Sequence, residues 1–319
     1  MILFLNSLLI DKKHKKNKPI NLIKKYFAML EEACFQEKKN ELPKHFDFPP
    51  GHFYSPIPCL AEIKQDELKI FGKPPRDFPG INLYEEEQLE LLNELAQFYK
   101  HMPFKATKAE GLRYYFKNPN YSYSDAILLH CMIRNLKPKK IIEIGSGYSS
   151  CMTLDTNELY FDGRIKTIFI EPHPNLLLTL INKEDKNKEM IISKKLQDVD
   201  VGIFKTLEKN DILFIDSTHV SKVNSDVNHL FSRILPCLNK GVYIHFHDIF
   251  YPFEYPQDWI MRGIAWNEIY VLRSFLQYNS KFKVRLMNTF MHYFHPQFFL
   301  EKMPLCLMDQ GGSIWLSVE

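Results

Sequence analysis

Acidic and histidine side chains stand at the ends of several short apolar runs in this sequence. Glu143, Glu171 and Asp216 each close one run, and His247 and Asp248 close another. A carboxylate can accept hydrogen bonds from hydroxyl groups, pair with an ammonium group or ligate a cation, and an imidazole can serve as a general base. Because acids end four of five successive runs, we interpret them as parts of one site.

The stretch Lys139–Ser150, KKIIEIGSGYSS, has the pattern of a strand, a glycine turn and the start of a helix. Its β-branched residues predict a buried strand, and the glycines of Gly145–Gly147 permit a tight turn and the close approach of a ligand. A helix that begins near Ser149 would direct its free N–H groups at that ligand. We predict a cradle for a nucleotide-type cofactor, in which Glu143 suits an ammonium group better than a pyrophosphate.

Two further polar positions fit other parts of a nucleoside. Glu171 lies 24 residues after Gly147, where a carboxylate can accept hydrogen bonds from both ribose hydroxyls. Gln197 and Asp198 follow the third apolar run and are candidate partners of an adenine ring. The competing interpretations are a helix-capping acid before Pro172 and the ordinary polarity of a loop.

The histidines form a second candidate group. His245 and His247 are two residues apart and share a face of a strand, whereas Asp248 points the other way unless the strand has already ended. With His219 they are candidates for a metal or base cluster, and we favour His247 or His219 as a general base over a metal role. The competing interpretation is a histidine that belongs to the packed core.

A parallel sheet would bring these positions together, because the carboxyl ends of its strands meet at one edge. Alternating strands and helices predict a doubly wound, mainly parallel α/β sheet with an antiparallel last strand. Helices are predicted at Ser124–Leu136, from near Ser149, along Val223, Val227, Leu230 and Ile234, and at Ile264–Tyr278, with none required between the last two strands. The seven predicted strands are 141–144, Thr167–Ile170, Met190–Ile192, Ile212–Ile215, Val242–His247, Phe282–Met287 and Ser313–Val318.

The first part of the chain differs in character. Residues 1–120 are predicted to form a helical and irregular cap, and residues 121–319 the α/β domain. Asp11–Lys25 is rich in lysine and indicates a solvated surface or an anionic partner, and Asn21–Lys39 has a helical pattern. Prolines and aromatic residues between Leu42 and Gly80 predict ordered irregular chain that buries its rings. A helix cap is expected at Asn82.

Composition narrows the functional classes. The chain has 319 residues, of which 45% are hydrophobic, and its net charge of +3 does not indicate nucleic acid as a partner. Six scattered cysteines without a C-x-x-C pair favour reduced thiols and a cytoplasmic location. No apolar run approaches the roughly 18 to 20 residues of a spanning helix, and the lysines follow the opening apolar run, which is the wrong order for a secretory signal.

Several motifs together resemble class I S-adenosylmethionine-dependent methyltransferases. They are EIGSGYSS at 143–150, the strand-end Glu171, FIDSTH at 214–219 and HFHD at 245–248. GHFYSPIP at 51–58 and WNE at 266–268 are similar to features of a bacterial branch of that family. The resemblance covers Tyr121 to about residue 250 and implies a Rossmann-like sheet, with Ser149 where many members have a third glycine.

The resemblance also implies roles for individual residues. Glu143, Gly145, Ser146 and Gly147 would hold the methionine end of the cofactor, Glu171 its ribose, and Gln197 or Asp198 its adenine, with Asp216 beside it. Catechol-type members hold magnesium on acids that end the fourth and fifth strands, where this chain has Asp216, His247 and Asp248. The expected activity is methylation of an oxygen on a small-molecule or glycan-type acceptor.

Two other functional classes remain open from the sequence. A nicotinamide-dependent oxidoreductase is disfavoured by Glu143 and by Ser150 at the third glycine of the dinucleotide fingerprint. It is also disfavoured because no Tyr-x-x-x-Lys pair occurs at Tyr251, Tyr255, Tyr270 or Tyr278. A methyltransferase-like binding protein without activity is disfavoured by the near-complete set of polar strand ends.

Overall fold

The computed structural model describes residues 47–188 and 190–319. The lysine-rich segment 11–25 and the helix predicted over 21–39 lie outside the described residues. The chain divides into two compact units between Cys59 and Leu60. In the described part of the first unit, the side chains of Phe53 and Tyr54 are 79% and 66% exposed, so the predicted burial of these two rings is wrong among the described residues.

The second unit, Leu60–Glu319, is built on a seven-stranded sheet. Its strand order is β3-β2-β1-β4-β5-β7-β6, in which β1 to β5 are parallel and β7 runs antiparallel to both of its neighbours. The strands are β1 Lys140–Ile144, β2 Lys166–Ile170, β3 Met190–Ile192, β4 Ile212–Ile215, β5 Tyr243–His247, β6 Phe282–Met287 and β7 Ser313–Val318. The predicted fold class is confirmed, and the strand boundaries agree to within one residue.

Helices connect and cover these strands. Helix α4 is buried along almost its whole length, and it packs against α3 and α5. The helices of the second unit that the structure describes are α1 Leu60–Gln65, α2 Glu67–Phe71, α3 Glu85–Tyr99, α4 Tyr123–Leu136, α5 Tyr148–Phe161, α6 Asn175–Leu180, α7 Lys183–Lys188, α8 Asp226–His229, α9 Gln257–Met261, α10 Glu268–Leu276, α11 Asn288–Phe294 and α12 Pro296–Lys302.

Four helix predictions need correction, and one of them is the helix predicted at Ile264–Tyr278, which spans only Glu268–Leu276. Val223 is 97% exposed and precedes α8, because Ser225 caps that helix by accepting a hydrogen bond from the Asn228 N–H. Asn82 is not the cap of α3; its side chain accepts from the Tyr84 N–H, and the helix begins at Glu85. The fourth correction concerns the chain between β6 and β7, where α11 and α12 occur although no helix was expected.

The switch in strand order falls between β1 and β4. From β1 the chain adds β2 and β3 on one side and then crosses to β4 and β5 on the other. Ligands of open α/β sheets bind at the carboxyl ends of the strands beside such a crossing. The polar residues singled out in the sequence end these strands, so the fold directs them to this edge. None of the helices in the described part of the chain has both the length and the apolar character needed to cross a bilayer.

Candidate functional site

Glu143 is a buried carboxylate at the base of the glycine loop. Its Oε1 accepts hydrogen bonds from the hydroxyls of Ser149 (2.6 Å) and Ser150 (2.8 Å), which lie in the first turn of α5, while its Oε2 has no partner. Burial raises the pKa of Glu143 to about 8, although the two serine hydroxyls oppose the shift. A buried carboxylate with one free oxygen is suited to an ammonium ligand.

The two glycines of the loop have different structural roles. Gly145 has φ +78°, and a Cβ there would lie 1.9 Å from the Asp216 carbonyl oxygen, so the β1 loop packs directly on the end of β4. Gly147 has an extended φ of 176°, and the nearest atom to a Cβ would be Leu176 Cδ2 at 3.4 Å. A side chain at Gly147 therefore meets no strain from a positive φ.

The predicted ribose and adenine residues lie after β2 and β3. Glu171 is half-buried, and its Oε1 accepts from the His173 N–H at 2.8 Å. Gln197 donates its side-chain N–H to the Asn224 carbonyl oxygen, and Asp198 is exposed. The contact of Gln197 ties the loop after β3 to the loop after β4, and the cofactor roles of all three residues remain predictions.

The ends of β4 and β5 bring three potential ligands together. His219 Nε2 lies 3.2 Å from Asp216 Oδ1 and 3.5 Å from Asp248 Oδ2. One donor atom from each of these three residues lies within 4.8 Å of the others. We call Asp216, His219 and Asp248 the edge cluster.

His219 is charged in the absence of a ligand. Burial disfavours its imidazolium form, but hydrogen bonds to Asp216 and Glu268 outweigh burial and raise its pKa to about 10. Partial burial opposes ionisation of Asp216, yet the charge of His247 and the hydrogen bond from His219 lower the pKa of that carboxyl. The cluster therefore holds a proton between carboxylates, which makes His219 a poor base near neutral pH.

His245 and His247 share a face of β5, as the alternation of strand residues requires. The imidazole of His245 is fully buried and stacks on Phe214 with ring centroids 4.2 Å apart, and burial lowers its pKa. His247 lies nearer the edge, with Nε2 3.5 Å from Asp248 Oδ1 and Nδ1 3.7 Å from Asp125 Oδ2. The packing of His245 agrees with a core histidine, and His247 borders the edge cluster.

Sequence reasoning missed Glu268 and Asp125 as residues around the site. Glu268 is fully buried and its Oε2 lies 2.8 Å from His219 Nδ1. Asp125, in α4, accepts hydrogen bonds from the Ser313 hydroxyl and the Gly312 N–H. The WNE motif was the available signal for Glu268, while Asp125 lay in a helix far from any strand end and gave no signal.

An aromatic cleft of about 570 Å³ adjoins this edge. Phe250, Tyr251 and Tyr255 form part of its wall. The ring centroids of Tyr255 and Trp266 are 6.0 Å apart, and those of Trp266 and His219 are 4.4 Å apart. Among the described residues, those that line it include one acid, Glu254, and neither Lys nor Arg. Tyr255, which lines the cleft, is thus linked through the Trp266 ring to His219 of the edge cluster.

Comparison with known proteins identifies the family. The profile of a family described as "Methyltransferase domain" matches residues 142–249. An uncharacterised protein of Archaeoglobus fulgidus is 37% identical over 168 residues, which cover 52% of this chain and 76% of that protein. The chain belongs to this methyltransferase-domain family. The matched region contains β1 to β5, and so it includes the glycine loop and the edge cluster.

Solved structures are similar to the methyltransferase at low identity. An SAH-bound methyltransferase from Podospora anserina, PaMTH1, is 14% identical with a TM-score of 0.41, and the match covers 87% of this chain and all of that one. An O-methyltransferase from Bacillus cereus in complex with SAH is 12% identical with a TM-score of 0.42, over 81% of this chain and 97% of that one. No residue assignment follows from these distant likenesses.

Proposed function

We propose that the protein transfers the methyl group of S-adenosylmethionine to a hydroxyl oxygen of a small-molecule or glycan-type acceptor. The observation that carries this proposal is the contact between the glycine loop and the edge cluster. The Gly145 position packs against the Asp216 carbonyl, and the Asp216 N–H donates to the Ile144 carbonyl at 2.8 Å. A cofactor held over the loop would therefore have its reactive end beside the cluster.

The residues of the loop fit the cofactor. The unpartnered Oε2 of buried Glu143 and the buried, unpartnered hydroxyl of Ser146 would bind the polar methionine end. The N-terminal turn of α5 follows at Tyr148 and favours a carboxylate ligand. On the other side of the loop, Glu171 would accept hydrogen bonds from the ribose, and Gln197 or Asp198 would lie near the adenine.

The edge cluster fits a divalent cation. Two carboxylates and one imidazole form a mixed oxygen and nitrogen donor set, which suits manganese, iron or zinc better than an all-oxygen site would. Asp216, His219 and Asp248 would hold the ion, which, when bound, would stabilise the negative charge that develops on an acceptor oxygen. His219 thus takes the place expected for His247, which lies next to Asp248 and is the remaining candidate for a base.

The aromatic cleft supports a neutral, hydroxylated acceptor. In the described part of the chain, none of its lining residues is a lysine or arginine that would pair with a phosphate or carboxylate group on the acceptor, and Glu254 would repel either group. His292 also lines the cleft; it is 3% exposed, and its Nδ1 has no hydrogen-bond partner. The Ser124 hydroxyl donates to Asn288 Oδ1, so it accepts from His292 Nε2–H at 2.9 Å, and Nδ1 would accept a hydrogen bond from an acceptor hydroxyl.

The proposal predicts selective binding of the methyltransferase cofactor. Titration calorimetry should detect binding of S-adenosylhomocysteine and none of NAD, and Glu171→Ala should weaken the former by roughly 1.5 to 3 kcal/mol, the usual scale for hydrogen bonds to a charged group. The matched control is Asp162→Ala, which removes an exposed acid at the end of α5. Binding of NAD, or binding of neither ligand, would reject the proposed function.

A further inference from the structure

Glu268 is a fully buried acid at the first position of α10. Its Oε2 accepts a hydrogen bond from His219 Nδ1 at 2.8 Å, and its Oε1 accepts from the Ser217 hydroxyl at 3.3 Å. Removing a carboxylate completely from water is costly, so its burial beside a histidine calls for a specific role. Both of its hydrogen-bond partners lie in the loop that follows β4.

Residues 266–268 also contact His219 through backbone hydrogen bonds and through the Trp266 ring. The N–H groups of Asn267 and Glu268 both donate to the His219 carbonyl oxygen, at 3.0 and 3.1 Å. The Trp266 ring lies against the imidazole with centroids 4.4 Å apart. His219 itself has φ +59°, a conformation that an ordinary residue keeps only where its surroundings enforce it. The segment 266–268 therefore fixes both the backbone and the ring of His219.

The fixed ring directs its second nitrogen at the edge cluster. With Nδ1 bound to Glu268, Nε2 lies 3.2 Å from Asp216 Oδ1 and 3.5 Å from Asp248 Oδ2. A cation at the edge cluster would displace the Nε2 proton of the charged ring, while Nδ1–H would stay bound to Glu268, so that the Nε2 lone pair would face the ion. The Glu268 carboxylate would increase the basicity of that nitrogen.

We propose that Glu268 is a positioning residue that orients His219 as an Nε2 ligand for a divalent cation bound with Asp216 and Asp248. This inference rests on the cation site of the proposed function and adds a residue that does not itself reach the ion. Glu268 acts through the hydrogen bond to Nδ1, while Trp266 and Asn267 keep the ring and the loop in place.

The experiment measures the affinity of the full chain for Mn²⁺ by calorimetry or electron paramagnetic resonance. Glu268→Gln keeps an acceptor for Nδ1–H without the charge and should weaken Mn²⁺ binding about tenfold, and Glu268→Ala should approach about a hundredfold. The matched control is Asp226→Asn. Asp226 accepts hydrogen bonds from the N–H and hydroxyl of Thr218, in the same loop, without touching the imidazole, so Mn²⁺ affinity should stay within about twofold of the wild type.

Affinity for S-adenosylhomocysteine is measured on the same samples and should be unchanged in all three variants. Equal Mn²⁺ affinity of the wild type and Glu268→Gln would overturn the inference, as would a wild-type protein that binds S-adenosylhomocysteine but no Mn²⁺. The second result would leave the methyltransferase proposal standing. If the wild-type protein does not bind S-adenosylhomocysteine, the proposed function is rejected. The Mn²⁺ affinities of the wild type and the variants would then still decide the role of Glu268. If Glu268→Ala does not fold, Glu268→Gln carries the test.

Discussion

At the residue scale, the ionisation of Glu143, at the base of the glycine loop, makes the stability of the protein depend on pH. Burial raises the pKa of this carboxyl from 4.5 to about 8. Below about pH 4.5 it is protonated in both the folded and the unfolded chain and changes nothing. Between about pH 4.5 and 8 the unfolded chain releases this proton while the folded protein retains it, so the free energy of unfolding falls as the pH rises.

Glu143→Gln removes this dependence and provides a prediction. The variant should be more stable than the wild type without cofactor, and the difference should grow from pH 5 to pH 8, as measured by urea unfolding at both values. It should also bind S-adenosylhomocysteine more weakly, because the charge that faces the ammonium group is gone. Glu110→Gln, an exposed acid, is the control. A constant stability difference across this pH range would contradict the argument.

The sequence predicted which residues of the site carry charge, but only part of their surroundings. Glu143 was recognisable in the sequence because an acid next to a glycine turn is unusual where that turn binds a phosphate group. The serine hydroxyls that bind it depend on where α5 begins, and the glutamate that binds His219 lies 49 residues away in the chain. Contacts between distant segments depend on the tertiary fold, which the local pattern does not specify.

At the element scale, β1 and its glycine loop show why the strands were predicted more accurately than the helices. The central strands are short, buried and rich in Ile, so their ends follow directly from the pattern. Helix ends depend on caps, and the apolar spacing of Val223 with Val227 mimicked a helix that begins only at Asp226. The segment 264–267 likewise precedes its helix because Asn267 binds the backbone of His219.

The two loop glycines give a matched prediction. Gly145→Ala would place a Cβ 1.9 Å from the Asp216 carbonyl at φ +78°, so it should destabilise the protein by at least the roughly 1 to 3 kcal/mol typical of such backbone strain and should also disrupt cofactor binding. Gly147→Val should leave the stability within about 1 kcal/mol and weaken S-adenosylhomocysteine binding more than tenfold, because its side chain enters the cofactor space. Chemical unfolding and calorimetry separate the two effects. Unchanged affinity in Gly147→Val would contradict the loop assignment.

At the scale of the whole molecule, Arg113 ties the chain before α4 to the helices beside the sheet. Its guanidinium is 4% exposed and bonds Asp155 in α5 at 2.7 Å, Asp185 in α7 at 2.8 Å and Glu158 at 2.7 Å. The division into a cap over residues 1–120 and a domain over 121–319 stays a prediction. We expect the part of such a cap that follows Cys59 to unfold together with the α/β domain, because Leu60–Glu319 is one compact unit and Arg113 lies inside it.

Replacing Arg113 tests that cooperativity. Arg113→Met keeps much of the side-chain volume but removes the charge between the buried carboxylates of Asp155 and Asp185, and breaking a buried ion pair in this way costs about 3–5 kcal/mol. The control is Arg164→Met, because Arg164 pairs with Asp162 where the two side chains are 75% and 87% exposed, and such pairs contribute about 0–1 kcal/mol. Urea unfolding followed by tryptophan fluorescence and by circular dichroism should give one coincident transition for each protein, shifted strongly only in Arg113→Met. Equal shifts of the unfolding midpoint in the two variants would show that Arg113 does not stabilise the buried carboxylates. Separate transitions by the two probes would show that the segment around Arg113 unfolds independently of the sheet.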